Sequence, residues 1–211
     1  MKKIITLLLL LIGSQTFAQN QAANWFFGYG AGLKFDLGAN TLTSLNGGAL
    51  YTNEGCATIS DVFGELLFYT DGRFVWNRNN DVMPNGSNLF GDPSSTQSAI
   101  IVPKPNDSDI YYVFTVDNFL DGANFVLNYS IVDMTLNGGL GDVIVKNTNL
   151  LPVSSEKISA VLKDCVTKSI WVITYASQNG NASNYNTFFA YEVSNTGVNP
   201  VPVVSTFNSL S

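Results

Sequence analysis

The sequence contains no histidine, and it has only two cysteines, Cys56 and Cys165, in 211 residues. Without histidine, neither a Ser-His-Asp triad nor a Cys-His pair can be built, and the commonest protein ligand of zinc is missing. Mechanisms that depend on a lysine or on carboxylates stay open.

Charged residues are also scarce, at 12% of the chain, and the acidic ones outnumber the basic ones by 16 to 10. The resulting net charge of −6 disfavours binding to polyanions, because a nucleic-acid or anionic-membrane site needs clustered Lys and Arg. We expect no nucleic-acid partner.

Long hydrophobic runs are absent except at the N-terminus. Two lysines, Lys2 and Lys3, precede an apolar run over residues 4–12, and small residues flank Phe17 at residues 16–18. This three-part pattern predicts a secretory signal peptide over residues 1–18, and the apolar run is too short for a membrane-spanning helix. We expect a mature chain that begins at Gln19, has no membrane span after cleavage, and is secreted or displayed on the outer cell surface.

Helical periodicity is missing beyond the signal peptide. The sequence instead has runs of four to eight residues rich in Val, Ile, Phe, Tyr and Thr, separated by Gly, Asn, Asp and Pro. Such runs are typical of short β-strands. The sequence predicts an all-β fold.

One hairpin pattern occurs three times. Its first strand begins with a small residue followed by alanine, and its second strand ends in an aromatic or aliphatic run closed by threonine, over residues 67–70, 112–115 and 171–174. The turn between them varies in length while the strands do not, as expected of a repeated hairpin. The three starting pairs are Cys56-Ala57, Ser98-Ala99 and Ser159-Ala160.

Two more strands are predicted after each hairpin, which makes four strands per unit. The units start 42 residues apart (Ala57 to Ala99) and then 61 residues apart (Ala99 to Ala160), spacings that favour the four-stranded blades of a β-propeller. A β-sandwich is the alternative all-β architecture. The additional strands are predicted at residues 74–77 and 81–83, at 125–134 and 143–149, and at 188–193 and 201–206.

The segment before the first unit predicts strands at residues 25–28, 33–36 and 41–43. We interpret it as the outer part of a blade whose inner strand is missing. Residues 19–211 would then form a partial β-propeller, with about three blades and the outer strands of another. Because propellers generally have at least four blades, we expect the chain to be an N-terminal fragment of a longer protein.

Five blocks of the sequence resemble the N-terminal propeller-like region of large secreted surface proteins of Bacteroidetes: "NWFFGYGAGLKFD", "NEGCATISDVFGELLFYTDGRFVWNRNNDVMPNG", "SSTQSAIIVPKPNDSDIYYVFTV", "LNYSIVDMTLNGGLGDV" and "EKISAVLKDCVTKSIWVIT". The resemblance covers residues 24–205. Proteins of that class carry a gliding-motility-associated sorting domain of the type IX secretion system. The resemblance implies export followed by transfer to the cell surface or the medium, and it supplies no catalytic residues.

The loops before the predicted inner strands supply the candidate binding residues. We expect a non-enzymatic scaffold that binds an extracellular protein or a polysaccharide, as in adhesion, through the face that these loops form. No cofactor or metal is expected. The candidate residues are Glu54, Thr96, Gln97, Glu156 and Lys157.

Two other functions are compatible with the same sequence. One is a carbohydrate-active hydrolase that uses Glu54 together with Glu156, since glycosidases act with two carboxyl groups at a defined separation. The other is a structural spacer without a ligand. A calcium site at Asp107 and Asp109 has weak support, because two carboxylates are far fewer than the ~6–8 oxygens that calcium takes, and a turn is the simpler interpretation.

The two cysteines are predicted not to pair with each other. Cys56 opens an inner strand, whereas Cys165 lies six residues further along its own unit, in the turn after the equivalent strand. At ~3.3 Å per residue this places them about 20 Å apart along the strand direction, beyond the reach of a disulfide.

Overall fold

The structure is a computed structural model, and it describes residues 17–36, 38–118, 126–178 and 185–207. The predicted signal peptide lies outside the described residues except at positions 17 and 18, which begin a short 3-10 helix over Phe17–Ala22. A second 3-10 helix covers Asn137–Gly139. Across these ranges, no helix combines the length and the apolar composition needed to cross a membrane.

The first half of the chain forms two antiparallel three-stranded sheets. The first sheet is a meander in the order β1-β2-β3, and the second is a meander in the order β4-β5-β6. Their strands are β1 (Asn24–Phe27), β2 (Tyr29–Asp36), β3 (Thr41–Tyr51), β4 (Ala57–Ser60), β5 (Leu66–Thr70) and β6 (Val75–Asn77).

The second half forms two larger antiparallel sheets. The third sheet has four strands in the order β7-β8-β9-β10, and in the five-stranded fourth sheet β13 pairs with β12, β14 and β15. The all-β prediction is confirmed. The strands are β7 (Ala99–Pro103), β8 (Ile110–Val116), β9 (Leu127–Asp133), β10 (Asp142–Leu151), β11 (Ile158–Leu162), β12 (Ile170–Ala176), β13 (Thr187–Ser194), β14 (Gly197–Val198) and β15 (Val203–Thr206).

Aspartate side chains shape the hairpin turns. Asp61 Oδ1 accepts hydrogen bonds from the backbone amides of Phe63 and Glu65, at 2.8 and 2.9 Å. Asp164 does the same in the turn of the third hairpin. In the second hairpin, the carboxylate of Asp107 bonds to Lys104 Nζ at 3.0 Å. These bonds stabilise the turns. The contact of Asp107 with Lys104 is an ion pair within the turn.

Each sheet packs face to face on the next one along the chain. The alternation of side chains along β8 illustrates this, since Tyr111 and Val113 belong to the cluster shared with the second sheet, while Tyr112 and Phe114 belong to the cluster shared with the fourth. Neighbouring sheets therefore cover both faces of β8, as is usual for a strand between two packed layers. The cluster between the first two sheets consists of Phe26, Leu50, Tyr69 and Trp76.

The starting strands of the four sheets lie side by side. β1 contacts β4, β4 contacts β7, and β7 contacts β11. The backbone amide of Phe26 in β1 donates to Thr58 Oγ1 in β4 at 3.0 Å. The first sheet therefore has its own strand beside β4, whereas the sequence interpretation assigned it outer strands only.

Two strand predictions differ from the structure. The predicted strand at residues 81–83 is a single bridge between Trp76 and Val82, because backbone bonds from Asn77 to Asp81 and from Met83 to Val75 close a tight local turn. The predicted strand at residues 125–134 is β9, Leu127–Asp133, and its predicted first residue lies outside the described residues.

In the third copy of the hairpin, the first strand begins earlier than predicted. β11 begins at Ile158, two residues before the predicted Ala160, and Ile158 pairs with Thr174. A shift of two residues keeps every side chain on its face, because the period of a strand is two. The equivalent pairs in the other units are Ala57 with Thr70 and Ala99 with Thr115.

Candidate functional site

A cavity of about 370 Å³ runs across the beginnings of β4, β7 and β11. Three units separated along the chain thus contribute to one concave surface. Among the described residues that line it there is no charged side chain. The lining residues are Gly55, Cys56, Ala57, Thr58, Thr96, Gln97, Ala99, Ile100, Ile101, Ile158, Ser159 and Ala160.

Small residues keep this cavity open. Of the three small residues that precede alanine in the repeat, Cys56 and Ser159 line the cavity, whereas Ser98 is fully buried and its hydroxyl donates to the carbonyl oxygen of Asp71. At Gly55 the backbone of the next unit comes so close that an added Cβ would lie 2.1 Å from Ser98 N. Only glycine fits this crossing without displacing the backbone.

The loop before β7 is bound to the loop before β4. Gly55 N donates to the carbonyl oxygen of Ser95 at 3.0 Å. The carbonyl oxygen of Pro93 accepts from Thr52 Oγ1 at 2.8 Å, from Asn53 N at 3.0 Å and from Glu54 N at 3.2 Å. These bonds fix one side of the cavity rim.

The same loop is bound on its other side to the loop before β11. Both the backbone amide and the hydroxyl of Thr96 donate to Glu156 Oε2, each at 2.9 Å. The backbone amide of Ile158 donates to Gln97 Oε1 at 3.1 Å. The loops before β4, β7 and β11 therefore form one continuous rim.

The structure brings most of the predicted binding residues to this rim. Thr96 and Gln97 line the cavity, and Glu156 is bonded to Thr96. Lys157 is exposed, and its carbonyl oxygen accepts from Thr174 Oγ1 at 2.8 Å.

The fifth predicted residue, Glu54, is exposed and bonded to the rim only through its backbone amide. Neither Glu54 nor Glu156 lines the cavity, and Glu156 accepts both hydrogen bonds from Thr96. Neither carboxyl group therefore contributes to the cavity lining, whereas glycoside hydrolysis needs two carboxyl groups on either side of one bound sugar.

Several lining residues lie within strands and were not among the predicted binding residues. Thr58, Ile100 and Ile101 belong to β4 and β7, so their place on the cavity wall depends on how neighbouring sheets stack. The repeat itself is the sequence feature that could have identified them, since each lies two or three positions after Cys56 or Ser98, the small residues of the repeat.

A second cavity, of about 290 Å³, adjoins the first through the shared residues Cys56 and Thr58 and is otherwise lined by β1 residues Trp25, Phe26 and Phe27. The sequence interpretation could not predict it, because it treated the inner strand of the first sheet as missing. Trp25 and Phe27 are exposed, at 50% and 40%.

Both cysteines are free. Cys56 Sγ lies 3.3 Å from the carbonyl oxygen of Phe26, to which it donates. Burial of the thiol, with a smaller effect from the charge of Asp71, raises the pKa of Cys56. A thiol with a raised pKa stays protonated at neutral pH and is a poor nucleophile.

Burial also raises the pKa of Asp71, although its carboxylate accepts hydrogen bonds from the backbone amides of Arg73 and Phe74, each at 2.8 Å.

In the part of the chain that the structure covers, no group of three or more Cys, Asp or Glu side chains is placed to hold a metal ion.

Comparisons of this chain with protein-family models, with curated proteins and with solved structures gave no match.

Proposed function

We propose that the chain is a secreted, non-enzymatic β-propeller module that binds an uncharged, polar extracellular ligand in the cavity across β4, β7 and β11. The observation that carries the proposal is that three repeat units place their inner strands around this one cavity. Ligand sites are commonly concave, largely apolar surfaces with a few placed polar groups.

The order and stacking of the sheets support the propeller arrangement. Every sheet packs on its neighbour in the chain, and the four starting strands lie next to one another on one side of the stack. In a propeller, the innermost strands of successive blades surround a central channel in this way. The cavity would then be part of that channel.

The chemistry of the lining favours an uncharged ligand. Thr58, Thr96, Gln97 and Ser159 offer hydroxyl and amide groups, and the other lining side chains are small or aliphatic. A net charge of −6 repels anionic ligands at long range. Neutral polysaccharides and uncharged segments of extracellular proteins have the matching chemistry.

The proposed location follows from the predicted signal peptide over residues 1–18 and from the resemblance to surface proteins of Bacteroidetes. A secreted or surface-bound protein meets polysaccharides and other extracellular proteins, which are the ligands that the cavity fits. N-terminal sequencing of exported protein tests the location, with Gln19 as the expected first residue.

A non-enzymatic role is favoured over hydrolysis by the positions of the two candidate carboxylates. Glu156 makes a structural contact with Thr96, and Glu54 is exposed outside the cavity. A hydrolase would need both carboxyl groups to face one bound sugar.

A ligand panel tests binding and hydrolysis together. Neutral glucan, mannan and galactan oligosaccharides, acidic uronic-acid oligosaccharides and extracellular proteins are assayed for binding and for release of reducing ends. We expect binding of neutral ligands without product. Absence of binding throughout the panel would favour the spacer, and release of sugars would favour the hydrolase.

Two tyrosine variants locate the bound ligand. Ser159→Tyr fills the cavity from an exposed position in β11, and we expect it to weaken binding at least about tenfold. Val166→Tyr adds the same side chain in an exposed turn at the far end of the β11–β12 hairpin and should leave the affinity unchanged. Equal affinity in both variants contradicts the proposed site.

A further inference from the structure

The outer face of the fourth sheet is apolar and uncovered within the described residues. Strand pairing places Val161 beside Trp171, Ile173 beside Ala190, and Ala190 beside Val203 on this face. Val161 and Val203 are exposed at 51% and 56%. The rings of Tyr175, Phe188 and Phe207 contact one another at its end.

This face is the repeat counterpart of one that is covered inside the chain. The hairpin alignment matches Trp171 and Ile173 of β12 with Tyr112 and Phe114 of β8. Tyr112 and Phe114 pack against the fourth sheet. The equivalent face of the fourth sheet therefore has the composition of a sheet-to-sheet interface.

The first sheet has the complementary uncovered face. Its pairing places Trp25 beside Leu33, and Phe35 beside Leu42, all on the side away from the second sheet. The rings of Trp25 and Phe35 are 5.1 Å apart, and Leu42 is 59% exposed. The two ends of the stack thus each present an apolar sheet face.

Charge does not oppose contact between these faces. Glu192, the cross-strand neighbour of Trp171, forms an ion pair with Lys163 at 2.8 Å. Lys163 Nζ also lies 4.9 Å from the centre of the Trp171 ring. The acidic group on the face is therefore already neutralised by its own sheet.

We propose that the occupant of these faces is a second copy of this chain, with the outer face of the fourth sheet of one copy packed on the outer face of the first sheet of the other. Inside the chain, the second and third sheets each contact the preceding sheet with one face and the following sheet with the opposite face. The outer face of the fourth sheet is the one that would contact a following sheet, and the outer face of the first sheet is the one that would contact a preceding sheet, so the contact between copies continues this order. A contact between two fourth sheets would join two faces of the same kind, an arrangement that the chain does not use internally.

In this arrangement two copies would form a ring. The described residues of each copy form four sheets, and propellers have roughly 4–8 blades. Eight sheets in a two-fold symmetric ring would cover both end faces of both copies. This inference rests on the blade arrangement proposed above but not on ligand binding.

Light scattering on the purified full chain tests the association, and paired variants test its geometry. Val161→Glu with Val203→Glu blocks the fourth-sheet face. Phe27→Glu with Leu42→Glu blocks the first-sheet face, since Phe27 lies on the same side of β1 as Trp25. Val62→Glu with Val166→Glu adds the same charge in two exposed turns and serves as the control. All three double variants change exposed residues, and a cooperative thermal melt verifies that each is folded.

We expect the parent chain and the control to have twice the mass of one chain, and each face variant alone to be monomeric. Mixing the two face variants should restore a dimer, because each retains the face that the other lacks. A monomeric parent chain overturns the proposal, as does a dimer that persists when either face is blocked. If a double variant fails to fold, Val161→Glu and Leu42→Glu alone provide the same comparison. The assay contains no ligand, so its failure leaves the binding proposal to be judged separately.

Discussion

Thr96 donates two hydrogen bonds, from its backbone amide and from its hydroxyl, to the same carboxylate oxygen of Glu156, which lies 60 residues further along the chain. The contact joins the loop before β7 to the loop before β11. Glu156, which the sequence suggested as a binding residue and in the alternative hydrolase as one of two carboxylates, thus connects the loops of two repeat units.

Replacing Glu156 with alanine should therefore lower stability. The variant loses two charge-assisted bonds that hold the rim together, and we expect a loss of about 1–2 kcal/mol in the free energy of unfolding by urea. Glu54→Ala is the matched control, because the Glu54 side chain is exposed, and its effect should stay within about 0.5 kcal/mol. Equal losses in both variants contradict the structural role of Glu156.

Gly55 is predicted to be intolerant of substitution. An added Cβ would lie 2.1 Å from Ser98 N and 2.7 Å from the carbonyl oxygen of Ser95. Because both neighbours are backbone atoms, Gly55→Ala should destabilise the protein by about 1–3 kcal/mol, as overpacking does.

Gly38→Ala provides the comparison for Gly55→Ala, since an added Cβ there meets only a side-chain oxygen, at 3.4 Å. Thermal melts of both variants measure the difference. A Gly55→Ala protein that melts together with Gly38→Ala would show that the two loops are not in close contact.

Asp71 should give stability a distinct pH dependence. Burial raises the pKa of Asp71 in the folded protein, so between its unfolded and folded pKa values the native state binds more protons than the unfolded state. Stability contributed by this group is then fully present below the unfolded pKa and is lost as pH rises through the folded pKa.

Asp71→Asn isolates this effect, because asparagine keeps the oxygen that accepts from Arg73 N and Phe74 N. Urea unfolding of both proteins across a pH series provides the measurement. The stability of the parent relative to the variant should fall as pH rises and then level off. A relative stability that rises with pH would mean that Asp71 is stabilised as the carboxylate.

The two cysteines should react at very different rates. Cys56 is part-buried with a raised pKa, and Cys165 is exposed in a turn. With iodoacetamide at neutral pH, we expect Cys165 to be alkylated and Cys56 to react at least about tenfold more slowly. A peptide map without reductant that contains a Cys56–Cys165 cross-link would contradict both the aligned positions of the two cysteines in their repeat units and the placement of Cys165 in the turn between β11 and β12.

Local sequence patterns predicted most of the strands and turns, although residues 81–83 form a single bridge and not a strand. Ala57 and Ala99 begin β4 and β7 as expected, because their runs of β-forming residues are bounded by turn residues on both sides. The turns at Asp61 and Asp164 were also predictable, since aspartate supplies the acceptor for the backbone amides that follow it.

The direction in which each strand faces could not be read from the repeat. Phe68 packs on the following sheet, whereas its aligned counterparts Val113 and Val172 pack on the preceding one. The strand pairing does not explain this difference, because the pairs Ile59 with Phe68 and Ile101 with Val113 occupy the same position relative to the Ala–Thr pair of their hairpins. The alignment of β5 with β8 and β12 therefore does not determine which neighbouring sheet the side chains of β5 face.

The candidate site was predictable only in its position. The small residues before Ala57, Ala99 and Ala160 indicated where the first strands of the repeats come close together, and the loop before Ala99 contains Thr96 and Gln97. The bonds of these loops to Glu156 and Ile158 depend on residues about 60 positions away. Such contacts exist only once the sheets have stacked.

Hydrogen–deuterium exchange with the best-bound neutral oligosaccharide of the panel tests the central claim most directly, namely that three repeat units form one ligand cavity. We predict slower backbone exchange in residues 55–58, 96–101 and 158–160 when the sugar is bound, and no change in the turn at residues 163–169. Protection confined to any single unit, or protection away from these strands, would contradict a shared cavity.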